Sequence, residues 1–184
     1  MALALIIVAA LALGGAYVWF RACSRMRRGS ARLDQAWAEV EEALAARRAA
    51  LEGFVSTLKG LGLVPKARRE LEEVLGLLVK DQYEGPRALA EADERLRLAL
   101  RAAYAGLPRT RPSSLREAQN RLAEAEDELD LARRRYNELV VEWNMLFSRW
   151  SYRLAARHLG LDRREPYLLP SEEEEFVRRH GPPI

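Results

Sequence analysis

The sequence predicts an all-α protein in which an N-terminal transmembrane helix precedes an antiparallel four-helix bundle with two long and two shorter helices. Three observations lead to this fold class. Ala, Leu, Arg and Glu dominate the 184 residues, whereas Gly and Pro number only 11 and 8. An uncharged apolar run opens the chain. After it, apolar residues recur at spacings of three and four, which is the period of an amphipathic helix.

The opening run, "ALALIIVAALALGGAYVWF", covers residues 2–20 and contains no charged side chain. As a helix it would rise about 28 Å, close to the hydrocarbon thickness of a bilayer. Tyr17, Trp19 and Phe20 at its end suit the headgroup level. The alternative is a cleaved signal peptide, which has positive charge before its apolar run and small residues after it. Here aromatic residues close the run and arginines follow it, so we predict a retained membrane anchor.

The positive charge of the chain is concentrated just after this run. Five arginines lie within twelve residues, namely Arg21, Arg25, Arg27, Arg28 and Arg32. The other 25 basic residues nearly balance the 27 acidic ones, although the formal net charge is +3. A nucleic-acid-binding protein needs a basic face across its fold, so this pattern argues against a nucleic-acid partner.

Residues 21–29 are therefore predicted to be a basic juxtamembrane segment. The five arginines would contact anionic lipid headgroups at the bilayer surface, where each is worth about 1 kcal/mol. Basic residues beside a span tend to stay in the cytoplasm. This asymmetry predicts a single-pass protein of the cell membrane with its amino terminus outside and its bundle in the cytoplasm. Cys23 is the single cysteine, which excludes an intramolecular disulfide.

The bundle is predicted to occupy residues 30–160, with Gly29-Ser30 ending the anchor helix before it. The first long helix carries a coiled-coil-like seam of apolar residues that begins at Leu33. Gly60 and Gly62 end this helix, because glycine commonly follows the last helical turn.

Two shorter helices follow. The second helix would begin at Pro65, because proline suits the first helical position, and would close at Gly85. The third would stop at Gly106. Ser114 and Glu117 then form a capping box that would open the fourth helix.

The fourth helix is predicted to be long and unbroken. Its apolar seam continues through Tyr136, Trp143, Trp150 and Leu154, and the helix would end near Gly160. Residues 161–184 are predicted to be a mostly irregular tail with a short acidic helix that Ser171 caps.

Few residues in this sequence suit catalysis or metal binding. Its two histidines, His158 and His180, belong to no cluster with the spacing of metal ligands, and no phosphate-binding loop is present. The sequence therefore predicts no catalytic residue, no metal and no cofactor, and it argues against an enzyme.

Two arginine positions depart from the simple pattern. Arg47 lies on the seam of the first long helix, where its head would either extend to solvent, the favoured interpretation, or pair with a carboxylate inside the bundle. Arg133 begins a triple arginine and shares the border of the buried face. Because Asp130 and Glu138 lie on either side of Arg134, a solvated face with ion pairs is favoured over an anion site for the triple.

The segment "RRRYNELVVEWN" contains an aromatic-Asn pair twice. Tyr136-Asn137 is repeated seven residues later as Trp143-Asn144, although Asn is a poor residue for a helix interior. On a helix the rings would face the core and the amides its border. The favoured interpretation is that these amides bond to a neighbouring helix's backbone or to solvent. In the other interpretation, the polar strip receives another chain.

Two long stretches resemble the LemA family, which comprises small bacterial proteins with one N-terminal span and a helical bundle. "ELDLARRRYNELVVEWN" resembles the family's fourth-helix motif and includes Arg133 and both aromatic-Asn pairs. "LDQAWAEVEEALAARRAALEGFVSTLKG" resembles the family's first long helix through Ala36-Trp37, Arg47-Arg48 and Lys59-Gly60. The chain departs from the family at Phe147-Ser148, where the family has Pro after Phe. The resemblance implies an outside amino terminus and a bundle inside the cell, and it supplies no activity.

Together these patterns predict a membrane-anchored, non-enzymatic protein-interaction or scaffold module at the cytoplasmic face. Its partners would be the lipid bilayer, anionic headgroups and an unidentified protein. One alternative is an extracytoplasmic bundle that assists the envelope stress response or a membrane protease. Another is a bundle enzyme or metal carrier, which the shortage of ligands disfavours. The oligomeric state stays open.

Overall fold

The computed structural model describes residues 1–78 and 85–181, and these residues form helices and connecting segments without a β-strand. The predicted all-α class is confirmed. The helices are α1 (Ala2–Gly60), α2 (Pro65–Leu78), α3 (Pro86–Ala105), α4 (Ser113–Leu146), α5 (Trp150–Leu159) and α6 (Pro170–His180). The predicted continuation of the second helix towards Gly85 falls on residues 79–84, outside the described ranges.

The chain divides into two compact units. The first unit comprises Met1–Gln35 and Glu138–Arg164, and the second comprises Ala36–Asn137 and Glu165–Ile184. Both α1 and α4 therefore contribute residues to each unit.

Four helices contribute to the core of the second unit. Its apolar side chains recur at spacings of three and four along α1 and α4, as the sequence predicts, and α2 packs against α3. Burying a Leu or Phe side chain stabilises a fold by roughly 1.5–3 kcal/mol. The buried cluster consists of Leu51, Phe54, Val55, Leu58, Leu71, Leu96, Ala99, Leu100, Ala103, Leu115, Ala118 and Leu122.

The end of α1 follows the predicted glycine signal. The Gly62 N–H donates to the Lys59 carbonyl at 3.1 Å, and the Leu63 N–H donates to the Leu58 carbonyl at 3.0 Å. This pair of bonds defines a Schellman motif, which needs a left-handed residue after the helix. Gly62 adopts that conformation, with φ 66°. Gly160 ends α5 in the same way, with φ 65°.

The predicted break at Gly29-Ser30 is wrong, because α1 runs without interruption from Ala2 to Gly60. The basic juxtamembrane segment is therefore helical. Gly29 instead permits close packing inside the first unit: a Cβ atom there would lie 2.9 Å from the indole Cζ3 of Trp143. The absence of a side chain lets the Trp143 ring lie against the α1 backbone.

The prediction of one unbroken fourth helix is also wrong. It is divided into α4 and α5 at residues 147–149, where three successive N–H groups bond to carbonyls only three residues back. The Ser148 hydroxyl also donates to the Met145 carbonyl at 2.8 Å. As a result Trp150 and Leu154, predicted on the buried seam, are 71% and 50% exposed.

The predicted tail is more ordered than expected within residues 161–181. Residues 161–169 are outside any helix, yet Tyr167 and Leu169 are fully buried in the second unit. Helix α6 follows at Pro170, so Ser171 lies within the helix and is not its cap. The Glu172 carboxylate accepts a bond from the Leu169 N–H at 3.3 Å and supplies the cap instead.

Arg47 does not extend to solvent. Its guanidinium pairs with the Asp93 carboxylate of α3, and the side chains of the two residues are only 8% and 7% exposed. The second interpretation from sequence is therefore confirmed. Glu126 lies close enough for both charges to affect it, and burial is the main cause of its raised pKa.

Replacing Arg47 by Ala should lower the free energy of unfolding by about 3–5 kcal/mol, because Asp93 would be left as an unpaired buried charge. Denaturant unfolding of the full chain in detergent measures this change. The matched control is Arg48→Ala. Arg48 is exposed and pairs only with Glu52 one turn away, so its loss should cost less than about 1 kcal/mol. Equal losses for the two variants would contradict the assignment of a buried pair.

Candidate functional site

The two asparagines of the repeated pair bind the backbone of the extended segment 161–169. In the second unit, the Asn137 amide donates to the Tyr167 carbonyl at 2.9 Å. The Tyr167 N–H donates back to the Asn137 side-chain oxygen at 2.7 Å. We call this arrangement the Asn137 clamp. The Tyr136 hydroxyl adds a bond to the Glu165 carbonyl at 3.0 Å.

The first unit contains an equivalent arrangement, the Asn144 clamp. The Asn144 amide donates to the Arg164 carbonyl at 2.9 Å, and the Arg164 N–H donates to the Asn144 oxygen at 3.1 Å. The Trp143 indole N–H donates to the Asp162 carbonyl at 2.9 Å. Each aromatic-Asn pair therefore binds two backbone carbonyls and one backbone N–H.

The chemistry of the amide explains why asparagine occupies both positions. One Asn side chain presents a donor and an acceptor, so it can satisfy the N–H and the carbonyl of one residue, as a neighbouring strand does.

The sequence analysis identified the residues of both clamps but not the segment that they bind. Tyr136 and Trp143 are buried, as predicted, with 4% and 3% exposure. The asparagines bond to an extended segment and not to a neighbouring helix or to solvent. The structure thus corrects the favoured interpretation, and binding of another chain by this strip stays a prediction.

Buried aromatic and charged groups surround the Asn137 clamp. The half-buried Trp37 ring lies 5.0 Å from the Tyr136 ring and 6.4 Å from the Tyr167 ring, measured between centroids. The Trp37 indole donates to Glu41 at 2.7 Å. The Arg133 guanidinium lies 5.8 Å above the Tyr167 ring, close enough for a cation–π contact.

Arg133 is buried and does not belong to a solvated face, which corrects the prediction. It pairs with the Glu172 carboxylate of α6 and with Asp130 at 3.0 Å. Arg135 remains exposed and lies 3.8 Å from Glu39.

The Arg133–Glu172 pair changes the pKa of both residues. Burial alone would raise the pKa of Glu172, but the hydrogen bonds and charge of Arg133 outweigh it and hold that pKa below its usual value. Burial lowers the pKa of Arg133 and its two carboxylates raise it, with a raised pKa as the result. A lowered Glu pKa stabilises the fold above the unfolded value. That contribution is lost as pH falls through the folded pKa.

Tyr167 was not among the residues predicted to form a site. Burial, and then the charge of Asp93, raise the pKa of its phenol well above the usual value. Its hydroxyl has no hydrogen-bond partner in the part of the chain that the structure describes. Its burial could have been predicted from the short apolar run Tyr167-Leu168-Leu169, which lies between two prolines.

The remaining family-like positions are not part of the clamps. Arg48 is exposed and pairs with Glu52 at 3.3 Å. Lys59 and Gly60 are exposed at the end of α1.

Four of the five clustered arginines line a cleft in the first unit, which we call the basic cleft. It has a volume of about 430 Å³, and Arg27 does not line it. Its walls come from α1 and α4, with one carboxylate among them. The lining residues are Arg21, Arg25, Arg28, Gly29, Arg32, Leu33, Leu139, Glu142, Trp143 and Leu146.

The helix that carries these arginines also carries the apolar run. It is the one helix within the described residues that is long and apolar enough to cross a membrane. Leu3, Leu5 and Leu13 are 71–74% exposed. Near the end of the run, the Trp19 ring lies 5.4 Å from the His158 ring of α5.

In the ranges 1–78 and 85–181, no three His, Cys, Asp or Glu side chains converge in a group that could hold a metal ion. The convergent polar groups are the clamps, the buried ion pairs and the basic cleft.

The clamps lead to a stability prediction. Asn137→Ala should cost about 1–3 kcal/mol, because the Tyr167 N–H and carbonyl would lose their partner in a buried place. Exchange of the Tyr167 amide hydrogen should also accelerate. Denaturant unfolding and hydrogen exchange of the full chain measure the two effects.

Asn120→Ala provides the matched control, since Asn120 is exposed on the same helix and should change stability by less than about 0.5 kcal/mol. Asn137→Asp retains the acceptor and loses the donor, so an intermediate loss is expected. If Asn137→Ala melted like Asn120→Ala, the clamp would contribute nothing to the fold.

Comparison with known proteins agrees with the motifs in α1 and α4. The model of the LemA family matches residues 36–178, which is well over half of the chain. A search of curated proteins finds no match. On the strength of the family match, the chain belongs to the LemA family.

Proposed function

We propose that this LemA-family chain is a single-pass membrane protein whose helical body binds other proteins at the cytoplasmic face. The observation that carries the proposal is the exposed apolar segment of α1. Residues 2–20 are helical, and Leu3, Leu5 and Leu13 have little protein around them. Apolar helical surface of this length is stable in hydrocarbon and unfavourable in water.

Side chains near the end of the run support seating at a bilayer surface. Tyr17 is 62% exposed, and its hydroxyl accepts a bond from Arg21 at 3.3 Å. Such aromatic and basic pairs suit the headgroup layer. On α5, Trp150 and Leu154 are exposed one turn apart, and the helix end lies beside Trp19. An exposed Trp-Leu face of this kind suits the interface between water and lipid.

The orientation is proposed from the charge asymmetry. All five clustered arginines follow the apolar run, and basic residues close to a span are retained in the cytoplasm. The body would then lie inside the cell and the amino terminus outside.

We propose that α1 to α4 form an antiparallel four-helix bundle. The apolar cluster of the second unit, to which all four contribute, supports this arrangement. In the bundle, α5 and α6 would be additions to the basic architecture.

Binding, as opposed to catalysis, is supported by how the buried charges are used. Arg47 and Arg133 are neutralised by internal carboxylates, so neither is available to a substrate. The second unit also exposes Leu98 on α3 and Leu131 on α4, at 55% and 53%. We assign these two leucines as contact positions for a protein partner, because the buried core of a protein interface is more apolar than the rest of the surface.

The topology predicts a labelling pattern at Cys23, which is free and half-buried. A membrane-impermeant thiol reagent should leave it unlabelled in intact cells and label it after the membrane is disrupted. The chain with Cys23→Ser and Ala31→Cys tests an exposed position of the same helix and should behave alike. Labelling in intact cells would place the body outside and favour the extracytoplasmic alternative.

The partner-binding proposal predicts position-specific cross-linking. A photo-reactive residue at position 131 of the full chain, irradiated in membranes, should give a discrete protein adduct. The same residue at Arg121, exposed on the same helix, should give none. Identical adducts at both positions would indicate random collision. Absence of any protein adduct at positions 98 and 131 would refute the two leucines as contact positions.

A further inference from the structure

We infer that the basic cleft of the first unit binds a ligand with two neighbouring phosphate groups, supplied by the headgroup of a membrane lipid. The inference rests on the proposed membrane anchorage and deepens it by naming the lipid chemistry. Diffuse attraction between a basic segment and an anionic membrane needs no cleft, whereas this segment forms one wall of a cavity of about 430 Å³. That volume lies within the usual range of small-molecule sites.

The spacing of the arginines places them together. Arg21, Arg25, Arg28 and Arg32 are separated by four, three and four residues, so they share one face of α1. Arg27 is rotated about 100° from Arg28 and lies outside the cleft. Four arginines therefore line the cleft, and Arg27 lies outside it. Replacing Arg27 tests the effect of general surface charge, whereas replacing a cleft arginine tests the local site.

The guanidinium groups in the cleft retain donors for an anion. Within residues 1–78 and 85–181, none of the four forms an ion pair with a carboxylate. Arg21 donates to the Tyr17 hydroxyl at 3.3 Å, and Arg28 donates to the Ser24 carbonyl at 3.2 Å. Each guanidinium has five N–H donors, so most of them are left for a ligand.

Glu142 is the one carboxylate that lines the cleft, on the wall from α4. It opposes an anionic ligand, but the arginines outnumber it four to one. The α4 wall also contains Leu139, Trp143 and Leu146, which provide an apolar surface beside the charged one. A ligand with an anionic head and an apolar stem, as a phospholipid has, matches this combination.

The length of the arginine row indicates more than one phosphate. From Arg21 to Arg32 the helix rises about 16 Å, so the four guanidiniums form a row too long to converge on one phosphate. A single phosphate accepts fork-like bonds from about two guanidiniums. Four guanidiniums in a row therefore match two neighbouring phosphates of one headgroup.

The test uses the full chain in neutral detergent micelles, with native mass spectrometry to count bound ligand. Three probes are titrated: diphosphatidylglycerol, which has two phosphates, phosphatidylglycerol, which has one, and inorganic pyrophosphate, which has no lipid part. Wild type should bind diphosphatidylglycerol at least about tenfold more tightly than the other two. Equal affinity for phosphatidylglycerol would overturn the two-phosphate assignment, and equal affinity for pyrophosphate would overturn the lipid source.

The matched variants are Arg28→Gln and Arg27→Gln, which remove the same charge from adjacent exposed positions. Arg28→Gln should weaken binding of diphosphatidylglycerol about tenfold, and Arg27→Gln by no more than about twofold. Glu142→Gln should tighten binding severalfold, because it removes the opposing charge. Equal weakening by the two arginine variants would show diffuse attraction and would refute the cleft.

Anchorage is measured separately on the same variants. All of them should remain in the membrane fraction of cells after an alkaline wash, because the apolar run is unchanged. Loss of the wild-type chain from that fraction would refute the anchorage. The micelle titrations would still decide whether the cleft binds paired phosphates.

Discussion

The peptide groups of residues 161–169 impose the constraint on which much of this fold depends. The segment lies outside any helix, so its N–H and carbonyl groups lack helical partners except at its ends, Leu161 and Leu169. Buried peptide groups need partners. Asn137 supplies both partners for Tyr167, and the second unit can therefore bury Tyr167 and Leu169 completely. Helix α6 begins directly after them, where Glu172 reaches Arg133. The hydrogen bonds of Asn137 thus make the burial of Tyr167 and Leu169 possible. Their contributions to the free energy of unfolding are therefore coupled.

The arginines of this chain serve two purposes according to their surroundings. Arg47 and Arg133 are buried, and each has a carboxylate partner because an unpaired charge in the interior would cost several kcal/mol. The arginines after the apolar run are exposed and need no internal partner, since water solvates them. Their charge is therefore available to external anions, whereas that of the buried pair is not.

Local patterns in the sequence predicted the helices well, because helices are determined largely by nearby residues. The seam of α1 and the Schellman end at Gly62 appear as predicted. The division at residues 147–149 was missed because no Gly or Pro marks it, although the family has a proline at the position of Ser148. The break at Gly29 was wrongly predicted, because packing against Trp143 explains that glycine better than a helix end does.

Long-range partners could not be predicted from local patterns. Asn137 and Asn144 bond to residues 30 and 20 positions further along the chain, and no strand-like alternation announces that segment. Asp93 could not be predicted as the partner of Arg47 for the same reason, because it lies 46 residues away along the chain. The sequence did show that two asparagines lower the stability of the helix that contains them. Such a loss of helix stability indicates a compensating contact without identifying it.

The extended segment also has a consequence for association between molecules. Peptide groups of a non-helical segment that have no partner are a template for another strand. Pro166 lies within this segment and Pro170 follows it, and neither has an N–H to donate to a ladder. The segment is therefore a poor template for strand addition. The segment that binds its own helix thus also contains residues that discourage aggregation by strand addition.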